Sequence, residues 1–98
     1  MGKEIFLFNR ETFSKDNYEE ARALALELAE EARKEKGALM YDVFEDVGLD
    51  YTICILEKWE TYEDLENHWK AEHFNTIVPK LTRMAKDRTE VFKFRKID

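Results

Sequence analysis

The chain has 98 residues, of which 44% are hydrophobic, 13% aromatic and 39% charged, with 22 acidic against 16 basic side chains. This length allows one domain, residues 1–98, because domains usually have about 100 to 150 residues. The net charge of -6 argues against nucleic acid or an anionic membrane as the main partner, since both attract concentrated positive charge. No secretory pattern or long apolar run is present and Cys54 is the single cysteine, so we expect a cytoplasmic protein.

The first part of the chain is predicted to form a strand followed by a helix. Residues 4–9 make the strand, because Ile5 to Phe8 are strong strand formers. Asp16 or Asn17 can cap the helix, whose apolar residues recur every three or four positions. Gly37 is expected to end it.

The middle of the chain is predicted to form a β-hairpin. Residues 39–44 alternate in polarity, and residues 51–59 alternate again after a turn at residues 46–50. Alternate side chains of a strand share a face, so Glu57 is expected on the same face as Trp59 and two isoleucines.

The second half of the chain is predicted to contain another helix and a last strand. Thr61 and Asp64 indicate where the helix begins. Pro79 predicts a break near residues 75–78, because proline disfavours helical geometry at the residue before it. A further helical segment should reach about Lys86, and residues 90–97 should form the strand.

This order of elements is the βαββαβ pattern of a ferredoxin-like α+β fold with an antiparallel sheet. Both helices should cover one face of the sheet. The strands carry aromatic residues on both faces, and no third helix is predicted. We therefore expect an identical subunit to cover the second face.

The sequence contains few residues that could bind a metal ion or a cofactor. His68 and His73 are the only histidines, and five residues of a continuous helix turn through about 500°. Their rings would then point about 140° apart, which is incompatible with one metal ion. Ser14 is the only serine, and three glycines cannot build a phosphate-binding loop. We expect no metal and no cofactor.

Glu57 is the unusual residue of the predicted sheet. An acid on a half-buried face must be paired, protonated or functional. A pairing with Arg10 or another strand cation is the structural alternative to a functional role.

Three motifs occur along the chain in a fixed order. They are Gly37-Ala-Leu39-Met-Tyr41, Glu57-Lys-Trp59, and His68 with His73-Phe74 after four intervening residues. Together they resemble the antibiotic biosynthesis monooxygenase domain over nearly the whole chain. The resemblance implies a dimeric α+β barrel with a pocket between sheet and helices. The family includes cofactor-free oxygenases of polyketide quinols, quinol monooxygenases, haem-degrading enzymes and an autoinducer-processing isomerase.

The resemblance also implies roles for individual residues. His68 or His73 would act as a base, because an imidazole can take up a proton near neutral pH. Asn9 and Trp59 would hydrogen-bond a substrate oxygen. Structural roles remain open as well; His73, for example, could cap the turn before Pro79. The residues implied in substrate binding are Phe8, Tyr41, Glu57 and Phe74.

The expected function is cofactor-independent oxidation of a quinol, polyphenol or related small aromatic molecule by O2, in a homodimer. In such a reaction the substrate supplies the electrons, and the protein supplies orientation and a dry pocket. The alternative is a non-catalytic small-molecule binding or stress-response module of the same fold. Haem degradation is disfavoured, because Asn9 and Trp59 resemble that branch but Val78 stands at the position of its histidine.

Overall fold

The computed structural model describes residues 3–87 and 89–98. In chain order, its elements are strand β1 (Ile5–Thr12), helix α1 (Lys15–Ala32), strands β2 (Ala38–Glu45) and β3 (Thr52–Trp59), helices α2 (Tyr62–Lys70) and α3 (Glu72–Met84), and strand β4 (Glu90–Phe94). The strands form one antiparallel sheet in the order β2-β3-β1-β4. The predicted ferredoxin-like α+β fold is confirmed, and the second helical region is divided into two segments, α2 and α3. Within the described ranges, no helix is long and apolar enough to cross a membrane.

Helix α1 differs from its prediction at both ends. The hydroxyl of Ser14 accepts a hydrogen bond from the backbone N–H of Asn17, so Ser14 is the N-cap in place of Asp16 or Asn17. The helix ends at Ala32, and Gly37 lies five residues further on, with a φ of 82°. Its buried face consists of small residues and one leucine, which lets the helix lie close to the rest of the core: Ala21, Ala25, Leu28, Ala29 and Ala32.

The helix break lies earlier than predicted. Helices α2 and α3 are separated by Ala71, which has an extended conformation (φ -67°, ψ 147°), whereas Pro79 lies inside α3. The Asn75 amide donates hydrogen bonds to the carbonyls of Trp69 and Ala71, at 3.2 and 2.9 Å. The bond to Trp69 satisfies a carbonyl at the end of α2, and the Ala71 carbonyl also accepts the backbone N–H of Asn75 at 3.1 Å where α3 begins. The break near residues 75–78 was therefore a wrong prediction.

The two faces of the sheet differ in their surroundings. The inner face packs against the helices, and its buried side chains include Ile5, Leu7, Ile53, Ile55 and Trp59. The outer face carries aromatic residues that are between partly and nearly half exposed: Phe6, Phe8, Phe44, Phe92 and Phe94.

Candidate functional site

A cavity lies between the inner face of the sheet and helices α1 and α3. Its volume is about 160 Å³, close to the size of apolar cavities that hold a benzene molecule. The polar residues of its lining are Asn9, Glu11, Tyr41, Glu57, Thr82 and Thr89, and the other lining residues are Leu7, Leu28, Ile55, Trp69, Phe74, Val78, Leu81 and Val91. An aromatic ring that carries polar substituents fits such a lining.

Glu57 is held at this cavity by two neutral hydrogen-bond donors. The amide of Asn9 donates to Oε2 at 2.7 Å, and the indole Nε1 of Trp59 donates to Oε1 at 2.9 Å. Asn9 lies on neighbouring β1 opposite Ile55, so its side chain reaches Glu57 diagonally across the strands. We call these three residues the Glu57 clasp. The alternative pairing with Arg10 is wrong, because Arg10 pairs with Glu90 at 2.7 Å instead.

Burial raises the pKa of the Glu57 carboxyl above its ordinary value. The hydrogen bond from Trp59, the proximity of His68 and the hydrogen bond from Asn9 all favour the ionised form, but together they offset the effect of burial only in part. The carboxyl is consequently a stronger base than an exposed glutamate, and it can exchange a proton with a weakly acidic hydroxyl group.

Tyr41 lies directly opposite Glu57 on strand β2, and its ring is buried at the cavity. Burial raises the pKa of its phenol, and the carboxylates of Glu57, Glu35 and Glu11 raise it further. The hydroxyl therefore keeps its proton and can act as a hydrogen-bond donor rather than as a base.

Glu11 is a cavity residue that the sequence analysis missed. It lies two residues after Asn9 on the same face of β1, and its carboxylate accepts a hydrogen bond from the Thr89 hydroxyl. Burial raises the pKa of this carboxyl as well. The alternation that placed Glu57 on the inner face could have identified Glu11, because residues 5, 7, 9 and 11 share one side of β1.

His68 and His73 converge on one carboxylate oxygen outside the cavity lining. Nδ1 of His68 lies 2.7 Å from Oε2 of Glu35, and Nε2 of His73 lies 2.6 Å from the same oxygen. The sequence argument that the two rings must point apart was wrong, because it assumed a continuous helix and the chain turns at Ala71. The ligand atoms of these three residues all lie within 4.8 Å of one another. We call them the Glu35 cluster.

The His68 ring is enclosed by aromatic side chains. It is 1% exposed, and its centre lies 4.7 Å from the Trp59 ring, 5.5 Å from Tyr41 and 5.1 Å from Phe74. Among the described residues, its Nε2 atom is buried and has no hydrogen-bond partner. His68 thus lies behind the Glu57 clasp and connects it with the Glu35 cluster.

The structure brings some predicted site residues together and separates others. Asn9, Tyr41, Glu57 and Phe74 line the cavity, whereas Trp59 and His68 lie behind it. His73 instead faces a surface groove that Glu27, Glu31 and Glu72 also line.

Phe8 requires a correction as a residue of the pocket. It points to the outer face of the sheet and stacks on Phe92, with 6.3 Å between the ring centres. The reason is the alternation of β1, which directs Phe8 and Asn9 to opposite faces.

The chain is similar in sequence to one protein family and to one curated relative. A sequence model of the family described as "Antibiotic biosynthesis monooxygenase" matches residues 5–80. The Bacillus subtilis (strain 168) protein named "Putative monooxygenase YcnE" is 37% identical over 62 residues, which make up 63% of this chain and 65% of that protein. The chain thus matches slightly less than two thirds of the length of this relative.

Solved structures of other proteins have the same fold. A conserved protein of unknown function from Bacteroides thetaiotaomicron VPI-5482 is 31% identical, with a TM-score of 0.86 over 96% of this chain and all (100%) of that one. A conserved protein from Methanosarcina mazei Go1 is 27% identical, with a TM-score of 0.90 over 95% of this chain and 92% of that one. The segment matched by the family model contains both the Glu57 clasp and the Glu35 cluster.

Proposed function

Because the chain belongs to the antibiotic biosynthesis monooxygenase family, we propose that it oxidises a quinol, polyphenol or related small aromatic molecule with O2 and without a cofactor. The observation that carries this proposal is the position of Glu57. A buried carboxyl with a raised pKa lies at a ring-sized cavity, directly across the strands from the hydroxyl donor Tyr41. This arrangement suits the removal of a proton from an aromatic hydroxyl group.

The proposed reaction needs no external reductant, because a quinol carries the electrons itself. Loss of a hydroxyl proton gives an anion that passes one electron to O2, and the resulting superoxide and substrate radical combine at a ring carbon. The hydroperoxide then loses water and leaves a carbonyl group. In the net reaction, one quinol and one O2 give one hydroxyquinone and one water, and all four electrons received by O2 come from the substrate.

The cavity residues have separate roles in this proposal. Glu57 accepts the hydroxyl proton, and Tyr41 and Asn9 orient the substrate oxygens by donating hydrogen bonds. Trp59 is a positioning residue that acts through Glu57. His68 does not line the cavity and acts through Glu57 as a second proton acceptor, because its Nδ1 is engaged by Glu35 and its buried Nε2 is without a partner among the described residues. His73 supports His68 through Glu35.

We also propose that the working unit is a homodimer closed through the outer faces of two sheets. Phe44, Phe92 and Phe94 on this face are each nearly half exposed, and Phe8 stacks beside them. An aromatic surface of this kind is costly to leave in water. A two-fold axis would place the same patch of both copies in contact.

A non-catalytic binding module is the second candidate function, because the same cavity could hold an aromatic ligand without turnover. Both candidates predict binding of quinols, but only the first predicts that the protein speeds the uptake of O2. The two functions are therefore separated by one pair of measurements, ligand affinity and oxygen consumption.

The test compares the wild-type protein with Glu57→Gln and with the control Glu60→Gln, whose side chain is exposed next to Trp59. Oxygen uptake is followed with a series of simple quinols and corrected for the protein-free rate. We expect the wild type and the control to be equally active, and Glu57→Gln to lose about 100-fold in kcat, the lower range for a general base. Binding without oxygen uptake by the wild type would favour the binding module.

A further inference from the structure

The Glu35 cluster offers three ligand atoms of the kinds that bind transition metals. The atoms come from two imidazoles and one carboxylate, and they converge from three parts of the chain: the segment after α1, helix α2 and helix α3. Imidazole nitrogen and carboxylate oxygen bind Zn²⁺ and similar divalent ions, with three protein ligands and one open position in many sites. The cluster has this composition.

The distances in the cluster are compatible with a metal after small side-chain movements. Zn²⁺ bonds of about 2.0 to 2.1 Å in tetrahedral geometry place ligand atoms about 3.3 Å apart. The two nitrogen–oxygen distances of 2.7 and 2.6 Å must therefore widen by about 0.6 to 0.7 Å, and the two nitrogens, which lie within 4.8 Å of each other, must also come to about 3.3 Å apart. His73 is 21% exposed at its side chain and has room for this change, whereas buried His68 provides a fixed ligand.

The surroundings of His73 favour a cation. Glu27, Glu31 and Glu72 line the groove beside it, and Lys34 compensates part of their charge by pairing with Glu31 at 2.9 Å. The groove leads from solvent to the partly exposed His73 ring, so an ion can enter without passing through the aromatic cavity. None of the three cluster residues lines that cavity, so an ion bound to them would not occupy the proposed substrate site, although His68 is shared with the proposed reaction.

From these contacts we propose that Glu35, His68 and His73 form a site for a divalent transition metal of the Zn²⁺ class. The ion would bind Nδ1 of His68, Nε2 of His73 and a carboxylate oxygen of Glu35, with solvent at the remaining position. It would tie the end of α1 to the junction of α2 and α3. Mg²⁺ and Ca²⁺ would bind poorly, because these ions require sets of oxygen ligands.

The experiment titrates untagged, chelator-treated protein with Zn²⁺ by calorimetry and with Co²⁺ by visible absorption. The variants are Glu35→Gln and His73→Gln, and the control is Glu30→Gln, which removes an exposed carboxylate from α1. We expect one ion per chain in the wild type and the control, with a tetrahedral Co²⁺ spectrum. Both cluster variants should lose this spectrum and at least tenfold in affinity.

Two results would overturn the proposal: no saturable binding by the wild type, or binding that both cluster variants retain in full. The second result would indicate that the ion binds the surface carboxylates instead. If Glu35→Gln does not fold, the partly exposed His73→Gln still decides the question. Histidine NMR gives an independent readout, because metal at Nδ1 must move the remaining proton of His68 to Nε2, and an unchanged tautomer would count against the site.

Discussion

Trp59 and Glu57 lie two residues apart on the inner face of β3, and the indole of Trp59 donates a 2.9 Å hydrogen bond to the Glu57 carboxylate. Trp59 is fully buried, at 0% exposure, and Glu57 is 4% exposed. The contact fixes the direction of the acid before any substrate binds. The Glu57 carboxylate is thus preorganised at the cavity by the residue two positions after it on the same strand, Trp59.

Replacing Trp59 with Phe should destabilise the fold by about 1–3 kcal/mol, because it leaves a buried carboxylate oxygen without its donor. The pKa of Glu57 should rise further, since the indole hydrogen bond favours the ionised form. Urea denaturation measures the first effect. The matched control is Trp69→Phe, which changes a half-buried indole on α2; an equal loss in both variants would contradict a specific role of the Glu57 contact.

The stability cost of Glu57→Gln should decrease as pH rises from about 4 to 7. Burial raises the pKa of Glu57 in the folded protein above its value in the unfolded chain. At a pH between these two values, the folded state keeps the carboxyl proton that the unfolded state has lost. The free energy of unfolding of the wild type therefore falls as pH rises through this range. Glutamine does not titrate, so the variant lacks this change and the difference between the two proteins becomes smaller. Urea denaturation of both proteins across this range gives the difference, and a cost that grows with pH would contradict the raised pKa.

Strand alternation made two of the three clasp residues, Glu57 and Trp59, predictable from the sequence. Alternate residues of a strand share a face, which places Glu57 and Trp59 together on β3. The same alternation places Asn9 and Glu11 together on β1, and the pairing register then brings them to the same sheet face as Glu57. That register depends on contacts between residues about 48 positions apart, such as Asn9 with Glu57. Local patterns carry no information on those contacts.

The Glu35 cluster could not be predicted, because local propensity points to the wrong helix break. Alanine is the best helix former and proline the worst, yet the chain breaks at Ala71 and continues through Pro79. The side chain of Asn75 stabilises the break by binding carbonyls at the end of α2, and Ile77 and Leu81 are buried on α3. Tertiary packing thus outweighs propensity here and brings the two histidines together.

Replacing Phe92 with Glu should convert the proposed dimer into a monomer. Phe92 lies on the outer sheet face, is 48% exposed and stacks with Phe8, so a charge there would have to be buried in the interface. Sedimentation equilibrium at micromolar concentration should give twice the chain mass of 11.8 kDa for the wild type and a single chain mass for the variant. Val47→Glu, at a fully exposed turn position, should stay dimeric; a monomeric wild type would refute the interface.

Replacing Gly37 with Ala should destabilise the protein by about 1–3 kcal/mol from backbone strain alone, because Gly37 has a φ of 82°. A Cβ atom there would also lie 2.1 Å from a carboxylate oxygen of Asp64, whose backbone N–H is capped by the Thr61 hydroxyl at the start of α2. Moving Asp64 would disturb the first turn of α2, the helix that carries His68.

Gly48→Ala is the matched control for this prediction, since the nearest atom to an added Cβ there is 3.4 Å away, within ordinary contact distance. Thermal and urea unfolding of the two variants should therefore differ by at least about 1 kcal/mol, the lower bound of the strain. If the Gly37 variant also shows lower metal affinity than the Gly48 variant, the segment that carries Glu35 is held in place by this turn. Equal stability of the two variants would mean that the turn can relax without cost.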